Sequence, residues 1–142
     1  MTAYYMNEAM FDLPDAEFVD RSITYLWGNA PSGADVLVLV ERRILEEDQP
    51  LRAAVAQLGN DAKEELRGYS VMFERDVEVS GLPAIDVGAR WREEDGTPMY
   101  TRRVHVALGL TWMIFTGEVP MVDREFCDAH IDHIVGSLQL RE

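Results

Sequence analysis

The chain has a single cysteine, Cys127. One thiol cannot form an internal disulfide, so the fold must rest on its own core or on partners. Basic residues are also scarce, with 13 Lys plus Arg against 26 Asp plus Glu for a net charge of -13. Nucleic-acid phosphates and anionic lipid surfaces attract basic proteins, so this balance argues against both as partners. No apolar run approaches the roughly 20 residues that span a bilayer. The opening stretch, MTAYYMNEAMFDLPD, has neither the basic start nor the apolar core of a signal peptide, so a soluble, cytoplasmic chain is expected. The common catalytic signatures are missing too. There is no glycine-rich phosphate loop between a strand and a helix, and no G-x-S-x-G elbow.

What is present suits one globular domain spanning residues 1–142. Apolar residues make up 47% of the chain, enough to bury a core without staples. Residues 4–6 and 9–13 read as short strands, stopped by Pro14-Asp15. Residues 21–27 alternate, with Ile23, Tyr25 and Trp27 on one side, before a loop at 28–33. Residues 36–42 form the next strand. Asp48-Gln49-Pro50 predicts a helix start with an acidic cap. Leu51, Val55, Leu58, Ala62 and Leu66 then recur on one helical face up to Gly68. Four strands follow, at 69–80, 84–92, 99–108 and 110–117, joined by short turns that imply an antiparallel meander. After Pro120 a last helix presents Phe126, Ile131, Ile134, Val135 and Leu138. The fold class is α+β, an antiparallel sheet of about six strands with two main helices.

The stretch Asp35-Val36-Leu37-Val38-Leu39-Val40 poses a problem for that layout. As a strand it turns valines to one face and Leu37 and Leu39 to the other, and both faces are apolar. Two helices on one face would leave the second bare.

Residues capable of chemistry are few. Cys127, His130 and His133 recur every third residue on the last helix, but the spacing fits no common zinc motif and no fourth ligand stands out. His105 lacks a nucleophile placed against it. No enzymatic activity, metal, nucleotide or cofactor is expected. Arg90, Arg92, Arg102 and Arg103 fall on neighbouring strands, where Glu74, Asp76, Glu78 and Asp86 can pair with them across the sheet. Arg103 could instead offer donors to a carbonyl in an apolar groove. Gln57, set between Val55 and Leu58, could do the same from the first helix.

Asn7-Glu8, Phe11-Asp12-Leu13-Pro14-Asp15, Asp20-Arg21-Ser22-Ile23, Val40-Glu41-Arg42, Gln57-Leu58, Gly81-Leu82-Pro83-Ala84, Arg102-Arg103-Val104 and Ser137-Leu138-Gln139-Leu140-Arg141 together resemble the DcrB-related family. Within it the chain looks most like the Eag chaperones encoded beside Rhs-type and PAAR-containing effectors of type VI secretion. The resemblance implies a PsbP-like α/β sandwich and a homodimer. It also implies a role in binding and shielding the N-terminal transmembrane helices of a toxin before export. By position it places client contacts at Ile23, Tyr25, Leu37, Leu39, Gln57 and Leu66. It would also place a glutamine where this chain has Arg103. The alternative is a structural or regulatory binding module of the same fold with no transmembrane client.

Overall fold

The computed structural model describes residues 2–5, 10–13 and 23–140. Two short strands, β1 (Thr2–Tyr5) and β2 (Met10–Leu13), pair antiparallel as a separate two-stranded sheet. The expected strand residues Met6, Ala9, Arg21 and Ser22 lie outside the described residues, as do several motifs that carry the family resemblance.

The main sheet has six strands: β3 (Ile23–Asn29), β4 (Asp35–Ile44), β5 (Arg67–Val79), β6 (Leu82–Arg92), β7 (Pro98–Leu108) and β8 (Thr111–Pro120). Their spatial order is β3-β4-β8-β7-β6-β5, antiparallel throughout. The expected meander is β5 to β8, and the β3–β4 hairpin adds to its β8 side. Each meander turn is short. Ser80 and Gly81 both have positive φ between paired Val79 and Leu82, as a tight hairpin turn demands.

The two helices are α1 (Leu51–Glu65) and α2 (Arg124–Gly136), the latter entered through a 3-10 turn at Met121–Asp123. The expected Asp48 cap does not form. Pro50 takes the N-cap position with extended backbone, and its carbonyl accepts from Ala53 and Ala54. A proline pushes the residue before it out of the helical region, so Gln49 stays outside the helix and Asp48 lies in a turn closed by the Gln49 N–H on the Glu46 carbonyl.

The helices do not share a face, which corrects the picture of two helices on one side. α2 packs on one face, where Cys127 and Ile131 meet Val36, Val104, Val106 and Phe115, with Val38 and Val40 at the margin. The close approach depends on Gly117, where a Cβ would stand 2.7 Å from the Cys127 sulfur and 2.9 Å from Ile131. α1 packs on the other face over β5, β6 and β7, where Ala54 and Val55 meet Ile85, Val87 and Ile114. Each fully buried aliphatic side chain in these layers contributes about 1.5–3 kcal/mol.

Charge also clamps α2. Arg102, buried on the α2 face, donates to both Asp86 oxygens at 3.0 Å and pairs with Asp132 at 2.7 Å. Arg75 reaches the same Asp86 from β5 at 2.8 Å. Burial disfavours the Arg102 charge, but hydrogen bonds to Asp86 and Asp132 outweigh it and raise the pKa. The cross-strand pairing expected for Asp86 is present, and it extends to the helix above.

Candidate functional site

Strand register determines which side chains share the α1 face. One row across the sheet runs Tyr25, Leu39, Thr116, Arg103, Val87, Glu74. The row on one side runs Trp27, Leu37, Glu118, Thr101, Ala89, and that on the other runs Ile23, Glu41, Ile114, His105, Ile85. α1 lies over the β5–β7 end of these rows. Among the described residues, no helix covers the β3–β4 end, whereas Trp112 and Ile114 of β8 are buried in the same cluster as Ala54 and Val55 of α1.

That end is a lane of apolar side chains. Every residue of β3 is exposed, including Ile23 at 48%, Tyr25 at 58% and Trp27 at 68%. Leu37 and Leu39 beside them are half-buried. At the end near α1's start, Ile23, Glu41, Arg43, Ile44 and Trp112 line a hollow of about 470 Å³. There the Arg43 guanidinium stands 5.5 Å above the Trp112 ring and pairs with Glu41 at 3.1 Å.

The lane's inner border is polar. Thr116 is buried to 1% exposure, and its hydroxyl has no hydrogen-bond partner. Arg103, its cross-strand neighbour, is half-buried and forms no hydrogen bond or ion pair among the described residues. Glu118 is half-buried as well. Burial pushes its carboxyl pKa up and Glu93 adds to this, while Arg103 and a hydrogen bond from Thr101 pull the other way. Trp91 donates to the Thr101 oxygen at 2.8 Å.

Of the sequence-derived contacts, Ile23, Tyr25, Leu37 and Leu39 form one continuous patch, and Arg103 borders it two strand intervals in from Leu39, about 10 Å away. Gln57 and Leu66 belong to a different neighbourhood. Gln57 is exposed on α1 and donates to Asp61 one turn on, at 3.1 Å. Leu66 caps the C-terminus of α1, half-buried. Between α1 and the sheet lies a small cavity of about 190 Å³, walled by Val55, Leu58, Lys63, Tyr69 and Glu74, which Arg103 also reaches. Sequence reasoning missed Thr116 and Glu118 as site residues. The available signal was two polar residues on one face of an otherwise apolar strand, Thr111–Pro120.

The residues weighed for other chemistry lie apart. His105 is buried and accepts from the Trp112 indole at 3.2 Å on Nδ1. Burial, helped by Arg103 and Arg43, pushes its pKa down to about 3, so the ring is neutral. Cys127 points into the core, and burial raises its thiol pKa to about 12. His130 and His133 are exposed, His130 stacked on Phe126. These three do not converge, and among the described residues no group of three or more metal-ligating side chains gathers. No helix among them is long and apolar enough to cross a membrane.

The fold has relatives among solved structures. PA94, a protein of unknown function from Pseudomonas aeruginosa, superposes with a TM-score of 0.83 at 23% identity, over 99% of this chain and 97% of that one. The PsbP protein of Synechocystis, CyanoP, matches with a TM-score of 0.59 at 11% identity, over 82% of each chain. At these identities the likeness shows the fold, a PsbP-like α+β sandwich. No curated protein matches. The DcrB family model matches residues 8–137, nearly the whole length, and the chain belongs to the DcrB family.

Proposed function

We propose that this protein is a cytoplasmic chaperone and adaptor that shields the N-terminal transmembrane helices of a type VI secretion effector of Rhs or PAAR type, and helps load it on the secretion spike. The observation that carries the reading is the bare apolar lane on β3 and β4. Its dimensions suit one helix. β3, β4 and β8 together span two strand intervals, about 10 Å, close to the diameter of a helix. The ten residues of β4 extend about 33 Å, close to the roughly 30 Å of a 20-residue membrane helix.

An apolar helix in water is unfavourable by about 25 cal/mol per Å² of exposed apolar surface. The lane offers Ile23, Tyr25, Trp27, Leu37 and Leu39 as replacement cover, with polar side chains along one border. Release requires only a better solvent, the bilayer, so this role uses no enzymatic step and no cofactor. The net charge of -13 keeps such a sticky surface soluble by mutual repulsion. Homodimerisation is part of the proposal, because β3 is an edge strand among the described residues and carries no charged residue to keep a second copy away.

The test is co-expression of the tagged chain with the N-terminal segment of the neighbouring gene product, with and without its apolar helices, in detergent-free buffer. The expected result is a soluble complex that requires the helices. Binding that ignores them, or no binding, would favour a binding module without a transmembrane client.

A further inference from the structure

Thr116, Arg103, Glu118 and Thr101 stand at four adjoining positions of two paired strands, Thr116 opposite Arg103 and Glu118 opposite Thr101. All four are polar, and Leu37, Leu39, Ile114, Val87 and Ala89 adjoin them on that face, with His105 next to Arg103 on its strand. A polar patch in such a face is unfavourable unless its groups find partners. Thr101 has them, from Trp91 and toward Glu118. Thr116 does not, although it is almost fully buried. Arg103 has donors to spare, and no ion pair links it to Glu118, its diagonal neighbour.

The occupant this square fits follows from its charge. One guanidinium and one carboxylate sum to zero. An added carboxylate would be drawn to Arg103 and repelled by Glu118, and an added ammonium the reverse. A neutral group that both accepts and donates satisfies all corners at once. We infer that the square binds a side-chain carboxamide, Asn or Gln, carried in the middle of the client's apolar helix. Its oxygen accepts from Arg103 and from the Thr116 hydroxyl, and its NH2 donates to Glu118. The inference deepens the client reading above and rests on it. It assigns the lane a preference for helices with a polar residue at mid-length, the kind that transmembrane helices use to bind one another.

The probe is a lysine-flanked leucine–alanine helix of about 20 residues with either asparagine or leucine at its centre. Affinity for the full chain is read from tryptophan fluorescence in detergent-free buffer. The expected result is that the asparagine peptide binds about tenfold more tightly. In Thr116→Val, which matches the shape and removes only the unpartnered hydroxyl, the ratio of the two affinities falls. In Arg103→Leu it falls to about one. Replacing a buried, unpartnered hydroxyl by methyl is close to neutral for stability, so Thr116→Val retains the fold. Equal affinity of the two peptides for the unaltered protein overturns the carboxamide site while leaving the groove reading intact. Failure of both to bind overturns the groove reading and this inference with it.

Discussion

The two edges of the six-stranded sheet are built on opposite rules. β5 is thirteen residues long, interrupted by two register shifts, and carries Arg67, Glu74, Arg75, Asp76 and Glu78. Bulges and charges are the usual means of stopping an edge strand from pairing with another chain. β3 has seven residues in unbroken register with β4 and not one charge. Its large apolar side chains face water on both sides, Leu26 on one and Tyr25 and Trp27 on the other. The helices follow the same division. α1 lies over the β5 side of one face, and among the described residues no helix lies over the β3 side of that face. Among the described residues, α1 closes one half of that face and the apolar side chains of β3 stay exposed on the other.

If that division is correct, damage to the closed half should cost stability and damage to the open half should cost binding. The largest effect belongs to Asp86→Ala. It leaves the buried Arg102 guanidinium without its main counter-charge, and unfolding free energy should fall by about 3–5 kcal/mol in urea titration. A change under about 1 kcal/mol would mean the α2 clamp is not buried as described.

Acid should act on the closed half next. The folded pKa of His105 is about 3, below its ordinary value of 6.5. The unfolded chain therefore binds the extra proton between these values, and stability present above pH 6.5 is lost as pH falls toward 3. The slope is at most about 1.4 kcal/mol per pH unit. His105→Gln should flatten that part of a melting-temperature profile, and an unchanged profile would contradict a neutral, buried His105.

In the open half, Trp27→Asp should leave the urea midpoint nearly unchanged, since the side chain is 68% exposed. It should weaken capture of an apolar client helix by about 30-fold or more if Trp27 is a central contact. Leu37→Asp is a less clean probe, because Leu37 is half-buried and the change also disturbs the sheet. The smallest effect is expected from Thr24→Lys, a charge placed on the β3 edge. Stability should stay within about 0.5 kcal/mol while sedimentation shows a weakened dimer.

The strands, the meander and both helices were legible because alternation and three-four spacing are local. So was the doubly apolar β4 strand. What could not be read was which face each helix would take. That depends on Gly117 admitting α2 and on Arg102 tying it down through Asp86 and Asp132, contacts between residues far apart in sequence. The candidate site depended on such contacts as well. Ile23, Tyr25, Leu37 and Leu39 were named by the family resemblance, and the β3–β4 pairing brings them onto one patch. Gln57 is displaced because α1 lies over the opposite half of that face. Thr116 and Glu118 went unseen because a polar residue in a strand becomes informative only when its cross-strand neighbours are known.

The most direct test of the open and closed halves is site-specific photo-crosslinking. A photoreactive side chain would be placed at Tyr25 on β3 or at Met72 on β5, both exposed, and the chain co-expressed with the N-terminal segment of the neighbouring gene product, the client under the proposal above. A crosslinked adduct is expected from position 25 and none from position 72. Adducts of equal yield from both, or from position 72 alone, would contradict it.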